Sequence, residues 1–135
     1  SDFDEYPYLR NKSVYLIVIL FQKFPPSTND EALTSFIDLL PIDDDNCKII
    51  HRCFASFLQQ KPEFFVNEEN LFLTLKIIAK ICKGHTIDEE TRLIFKQFIQ
   101  LLLSQEQDNM LIQNNLNELN KCFITRLRSF ANNAP

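Results

Sequence analysis

Hydrophobic positions along this chain recur every three or four residues, and prolines cut the pattern into segments. Pro25-Pro26 ends the first segment, Pro41 the second and Pro62 the third. Proline lacks an amide donor and pushes the residue before it out of helical backbone. The first segment, 8–24, holds the run Val14-Tyr15-Leu16-Ile17-Val18-Ile19-Leu20-Phe21. By propensity this run suits a buried strand, but no neighbouring segment offers a second strand, so it reads as a helix buried nearly all round. Segment 28–40 opens on the capping residues Thr28-Asn29-Asp30 and sets Leu33, Phe36, Ile37 and Leu40 at helical spacing.

Segment 44–61 opens on Asp43-Asp44-Asp45, where negative charge complements a helix N-terminus. Its apolar stripe is Cys47, Ile50, Phe54, Phe57 and Leu58, and its polar stripe Asp45, Lys48, Arg52 and Gln59. A turn through Phe64-Phe65-Val66 leads to 68–83, capped by Asn67 and ending before Gly84, where a C′ glycine is expected. Segment 88–104 opens on Asp88-Glu89-Glu90 and is expected to turn Leu93, Ile94, Phe98, Ile99, Leu101 and Leu102 inward. The Gln/Asn-rich stretch 104–117 reads as a polar loop with a short helix around Met110 to Ile112. A last helix, 117–130, carries Leu119, Cys122, Phe123, Arg126, Leu127 and Phe130, and 131–135 reads as a frayed tail.

Segments 28–40 with 44–61, and 68–83 with 88–104, form two antiparallel pairs, and their second helices start about 44 residues apart, at Asp44 and Asp88. Helix pairs recurring every ~40–47 residues have the period of HEAT-type solenoids. Each pair buries its apolar face only against neighbours. The expected fold is therefore all-α, an α-α superhelix (HEAT/armadillo-like solenoid) of about three helix pairs, with 108–130 as irregular capping helices. Residues 1–135 are read as the C-terminal segment of a longer array, because the apolar 8–24 helix has no partner before it. Left exposed, that helix would favour a dimer.

Composition narrows the function classes. A single Gly in 135 residues argues against hairpin-rich folds, and neither GxGxxG nor GxxxxGK can be written with it. Fourteen basic against 18 acidic residues give net −4, which disfavours direct contact with nucleic acid or anionic membrane and suits a basic protein partner. The longest apolar run, 14–21, is too short to span a bilayer. The four cysteines (Cys47, Cys53, Cys82, Cys122) contain no CxxC pair, and the start SDFDEYPYLR is no secretory signal, so reduced thiols in an intracellular protein are expected.

Cys47 and His51 share a helix face, but no second ligand pair completes a zinc site, so they read as a core thiol and a helix-surface histidine. Cys53 and His51, two apart, point in different directions and cannot act as nucleophile and base. The acidic runs are accounted for by helix capping and the helix dipole. No catalytic, cofactor or metal site is expected, and the protein reads as a non-enzyme.

One segment is distinctive. Leu39-Leu40-Pro41-Ile42-Asp43-Asp44-Asp45, then a long helix ending Ala55-Ser56-Phe57-Leu58-Gln59-Gln60-Lys61-Pro62, resembles the C-terminal repeats of karyopherin-β nuclear transport receptors, of the importin type that carries ribosomal proteins and histones. The next helix, Asn70-Leu71-Phe72-Leu73-Thr74-Leu75-Lys76-Ile77-Ile78-Ala79, is similar in pattern to the one that follows there. The likeness runs from about Tyr8 to Phe130; Cys47 and Lys48 depart from it, standing where the family usually has acidic residues. The resemblance implies a carrier, shared between cytoplasm and nucleus, that binds basic cargo and releases it on Ran-GTP binding. Ran-GTP and Phe-Gly nucleoporins would act through the full-length receptor. It also implies that 44–61 and 88–104 line the concave surface, with Asp45, Lys48, Arg52, Glu89, Arg92 and Lys96 as candidate cargo-facing residues. The rival readings are a HEAT-repeat scaffold segment of an unrelated assembly and a ligand-binding or enzymatic helical bundle. A tetratricopeptide array fits worse, since its 34-residue period is missing.

Overall fold

A computed structural model describes residues 30–42, 47–84 and 87–133, together with Lys12, Leu16 and Ile19. The described residues form helices and turns and contain no strand. Seven bounded α-helices follow in order among the described residues: α1 (Asp30–Ile37), α2 (Cys47–Gln60), α3 (Pro62–Phe65), α4 (Leu71–Gly84), α5 (Glu89–Ser104), α6 (Met110–Glu118) and α7 (Lys121–Asn132). A 3-10 turn, Glu106–Asp108, separates α5 from α6. Of the 8–24 segment only three residues are described; they are helical, and Leu16 and Ile19 are exposed. Thr28, Asn29 and the Asp43-Asp44-Asp45 run lie outside the described residues.

The periodicity in α1 and α2 becomes core. Leu33, Phe36, Ile37, Ile50 and Phe54 are fully buried, with Leu40, Phe57 and Leu58 nearly so. Phe36 meets Phe57 edge-on with ring centres 5.8 Å apart, and Lys61 holds Asp30 at 2.5 Å across the same pair of helices. Phe54 then links three elements, lying 5.7 Å from Phe65 of α3 and 5.7 Å from Phe95 of α5. Such tilted and edge-on pairs set the electron-poor rim of one ring against the face of another.

α2 packs on α5, α5 on α7, and α4 on both α6 and α7.

Several boundaries differ from the sequence expectation. Phe64 and Phe65 sit in a one-turn helix, α3, rather than a turn, with Pro62 in its first turn, where a missing amide costs nothing. Asn67 caps as expected: its Oδ1 accepts from the Glu69 and Asn70 amides at 2.9 Å, while its Nδ2 donates to the Phe64 carbonyl. Helix α4 itself begins only at Leu71. Gly84 is the last helical residue and has no positive φ, so it is not a left-handed C′ cap. The Gln/Asn-rich stretch is largely helix, because Ile112, Asn115 and Leu116 are buried against α4. Helix α7 continues to Asn132 with Ala131 buried, where fraying was expected.

Candidate functional site

The segment between α1 and α2 is built into the core rather than looped over it. Leu39, Leu40 and Ile42 are buried, and the Leu40–Pro41 peptide is cis. The Ile42 amide donates to Nε2 of His51 at 3.4 Å. His51 is 0% exposed, which corrects its reading as a helix-surface residue. The side chain that looked available for chemistry instead ties the preceding segment to α2.

The six candidate cargo-facing residues do not form one stripe. Asp45 lies outside the described residues. Lys48, Arg52 and Glu89 are exposed along the edge where α2 meets the start of α5. There Asp88, the cap of α5, accepts from the Thr91 amide at 2.7 Å and from Arg52 Nε at 2.6 Å. Burial opposes ionisation of Asp88, but Thr91 and the Arg52 guanidinium outweigh it and hold the carboxyl below its ordinary value.

Arg92 and Lys96, by contrast, turn toward α7. The Arg92 guanidinium lies 5.3 Å from the Phe130 ring centre. Lys96 Nζ donates to the Asn133 carbonyl, and Gln100 Nε2 to the Ala131 carbonyl at 2.8 Å. Residues 92, 96 and 100 share one face of α5, and two of them satisfy carbonyls left over at the end of α7. Lys96 also places positive charge at the negative end of the α7 dipole. Leu93 is 52% and Leu101 58% exposed, where both were expected inside, and Phe95 takes the buried position instead.

Concavities open among the described residues beside these contacts. A small, mainly apolar cleft of about 180 Å³ lies between α2 and α5, lined by Leu58, Pro62, Ile94, Phe98 and Leu101 among others. A larger open groove of about 620 Å³ runs along α7, between it, the end of α4 and the start of α5. Its walls hold Arg92, Lys121 and Arg126, with Cys82, Cys122 and Phe130. Arg126 donates to the Ala79 carbonyl of α4 at 2.9 Å and lies 5.5 Å from the Phe123 ring. Sequence reading placed Arg126 on the last helix without assigning it a role and missed the groove. Its signal was present in the spacing of Lys121, Thr125, Ser129 and Asn133, a polar row every four residues.

Two of the thiols, Cys53 and Cys82, are poor nucleophiles where they sit. Burial pushes Cys53 up to about 11. Burial likewise pushes Cys82 up to about 12, against the pull of Arg92 and Arg126. Both are thiols at neutral pH, and the thiolate is the reactive form. Among the described residues no three His, Cys, Asp or Glu side chains gather closely enough to hold a metal ion. No described helix is long and apolar enough to cross a membrane. No family model, no curated protein and no solved structure matches this chain.

Proposed function

We propose that this chain is the C-terminal part of a nuclear import receptor of the karyopherin-β type. Such a receptor is a non-enzymatic carrier that takes basic proteins from the cytoplasm and releases them in the nucleus on binding Ran-GTP. The observation that carries the reading is the Leu39-Leu40-Pro41-Ile42 segment. Within it Leu39, Leu40 and Ile42 are buried and the Ile42 amide donates to His51, so this part of the likeness belongs to a structural joint. The serial packing of α2 on α5 and α5 on α7 supports an α-α superhelix, in which each pair leans on the next.

Mechanistically, Lys48, Arg52 and Glu89 present hydrogen-bonding charge on the exposed edge of adjacent helices, and net charge −4 draws basic cargo toward the molecule. The cleft beside Phe98 offers an apolar seat for the single aromatic ring of a Phe-Gly segment. Exposed Leu16 and Ile19 supply the apolar surface through which two copies would associate.

The decisive experiment is a pull-down of basic nuclear proteins by the full-length parent, with and without Ran-GTP, repeated after deletion of this segment. Cargo that Ran-GTP releases, and that deletion loses, is the expected result. Binding insensitive to Ran-GTP overturns the receptor reading and leaves a HEAT-repeat scaffold segment.

A further inference from the structure

We propose that the groove along α7 binds a short acidic peptide segment of a partner protein. The inference is independent of the import reading, which concerns basic cargo on another face.

Three cations, Arg92, Lys121 and Arg126, line the groove of an otherwise acidic molecule. Among the described residues none of them pairs with a carboxylate, whereas Arg52, Lys61 and Arg128 each do. Asp88, Asp30 and Glu106 are engaged by those three, and the groove cations keep their charge unneutralised.

Both guanidinium groups are also fixed in place before any ligand arrives. Arg92 rests over Phe130, and Arg126 is held by the Phe123 ring and the Ala79 carbonyl. Arg126 spends one N–H on that carbonyl and keeps the rest of its fork for an acceptor. Immobilised donors lose little entropy on binding, which favours affinity.

The shape selects the class of anion. Thr125, Ser129 and Asn133 continue the row from Lys121 along one face of α7, all lining the groove. At ~1.5 Å per residue that row is roughly 18 Å long. An extended peptide rises ~3.3 Å per residue, so about five residues lie along it. The hydroxyl and amide side chains match a peptide backbone, and the cations match carboxylates on alternate positions. A long nucleic-acid strand fits poorly, since beyond the groove it meets the net negative field.

The test uses the whole chain and a fluorescein-labelled octapeptide alternating Glu and Ala, beside its Gln counterpart, read by anisotropy at low salt. The acidic peptide should bind and the neutral one should not. Lys121→Glu, at an exposed position, should weaken binding roughly tenfold. Arg92→Gln should weaken it about fivefold, and Lys80→Glu, on the far side of α4, should change nothing. Saturating peptide should slow alkylation of Cys122, an exposed thiol in the groove wall. This protection and Lys121→Glu carry the test if Arg92→Gln fails to fold. Absence of acidic-peptide binding overturns the proposal, as does equal binding of the neutral peptide. Unchanged affinity in Lys121→Glu or an unprotected Cys122 also overturns it. Tighter binding of a short RNA with the same Lys121 sensitivity replaces it with a nucleic-acid groove, and displacement by equimolar inorganic phosphate replaces it with a compact anion site.

Discussion

Two buried side chains of α2, Phe54 and His51, hold the first half of the described chain together in different ways. Phe54 is fully buried and shares ring contacts with Phe65 and Phe95, so it joins α2 to both α3 and α5. Phe54→Ala removes the ring from three helices that cannot all close on the gap, and a loss of about 3–5 kcal/mol is expected by chemical denaturation. His51 acts by a polar contact. His51→Leu keeps most of the volume but leaves the Ile42 amide without its acceptor in a dry site, at a cost of about 1–3 kcal/mol. A His51→Leu protein as stable as the wild type would show that the joint depends on packing alone. The spacing of Phe54 made its burial legible from the sequence. His51 shares a face with Cys47 of the apolar stripe, yet histidine suits a surface as well as a core, and its burial shows only once the preceding segment folds over it.

At the scale of elements, what could be read depended on which force set each boundary. Prolines and the acidic cap at Asp88 act within one turn, and accordingly α2 ends at Gln60 just before Pro62 and α5 begins at Glu89. Helices α6 and α7 were blurred, because asparagine suits both loops and caps. Asn109 and Asn120 each accept from an amide three residues on, at 3.2 and 2.8 Å; the first opens α6, and the second, after Leu119, opens α7. The exposure of Leu93 and Leu101 depends on which sides of α5 its neighbours occupy, which no local pattern specifies.

The Asp88 cap also sets a pH dependence. Its folded pKa is depressed, so its contribution is complete above the unfolded carboxyl value of about 3.9 and disappears as pH falls through the lower folded value. Asp88→Asn keeps a capping oxygen but loses the charge paired with half-exposed Arg52. It should cost no more than about 1 kcal/mol at pH 7. The gap between the two proteins should narrow as the solution is acidified below pH about 4. A gap that stays constant into strong acid would show that the Asp88 charge contributes nothing.

For the whole molecule, the open question is whether the helices form a chain of neighbours or one closed core, and local destabilisation separates the two. Leu127 is buried in α7, which rests on α4 and α5, while α2 packs chiefly on α5. Leu127→Ala should cost about 2–4 kcal/mol at its own site. If stability is a sum of nearest-neighbour terms, that loss stays near the end where it is made. Hydrogen exchange should then accelerate most in α6, α7 and the parts of α4 and α5 beneath them, while the slow amides of α1 and α2 keep most of their protection. If the helices share one cooperative core, the slowest amides of every helix lose protection together, by the full mutational free energy. The first outcome supports the superhelix on which the import reading depends, with Arg92, Lys96 and Gln100 acting as the clasp that carries α7 on α5. The second outcome removes that support and makes the α7 groove a feature of a closed helical domain. Its cations would keep the same geometry there, so the acidic-peptide proposal would stand while the superhelix reading fell.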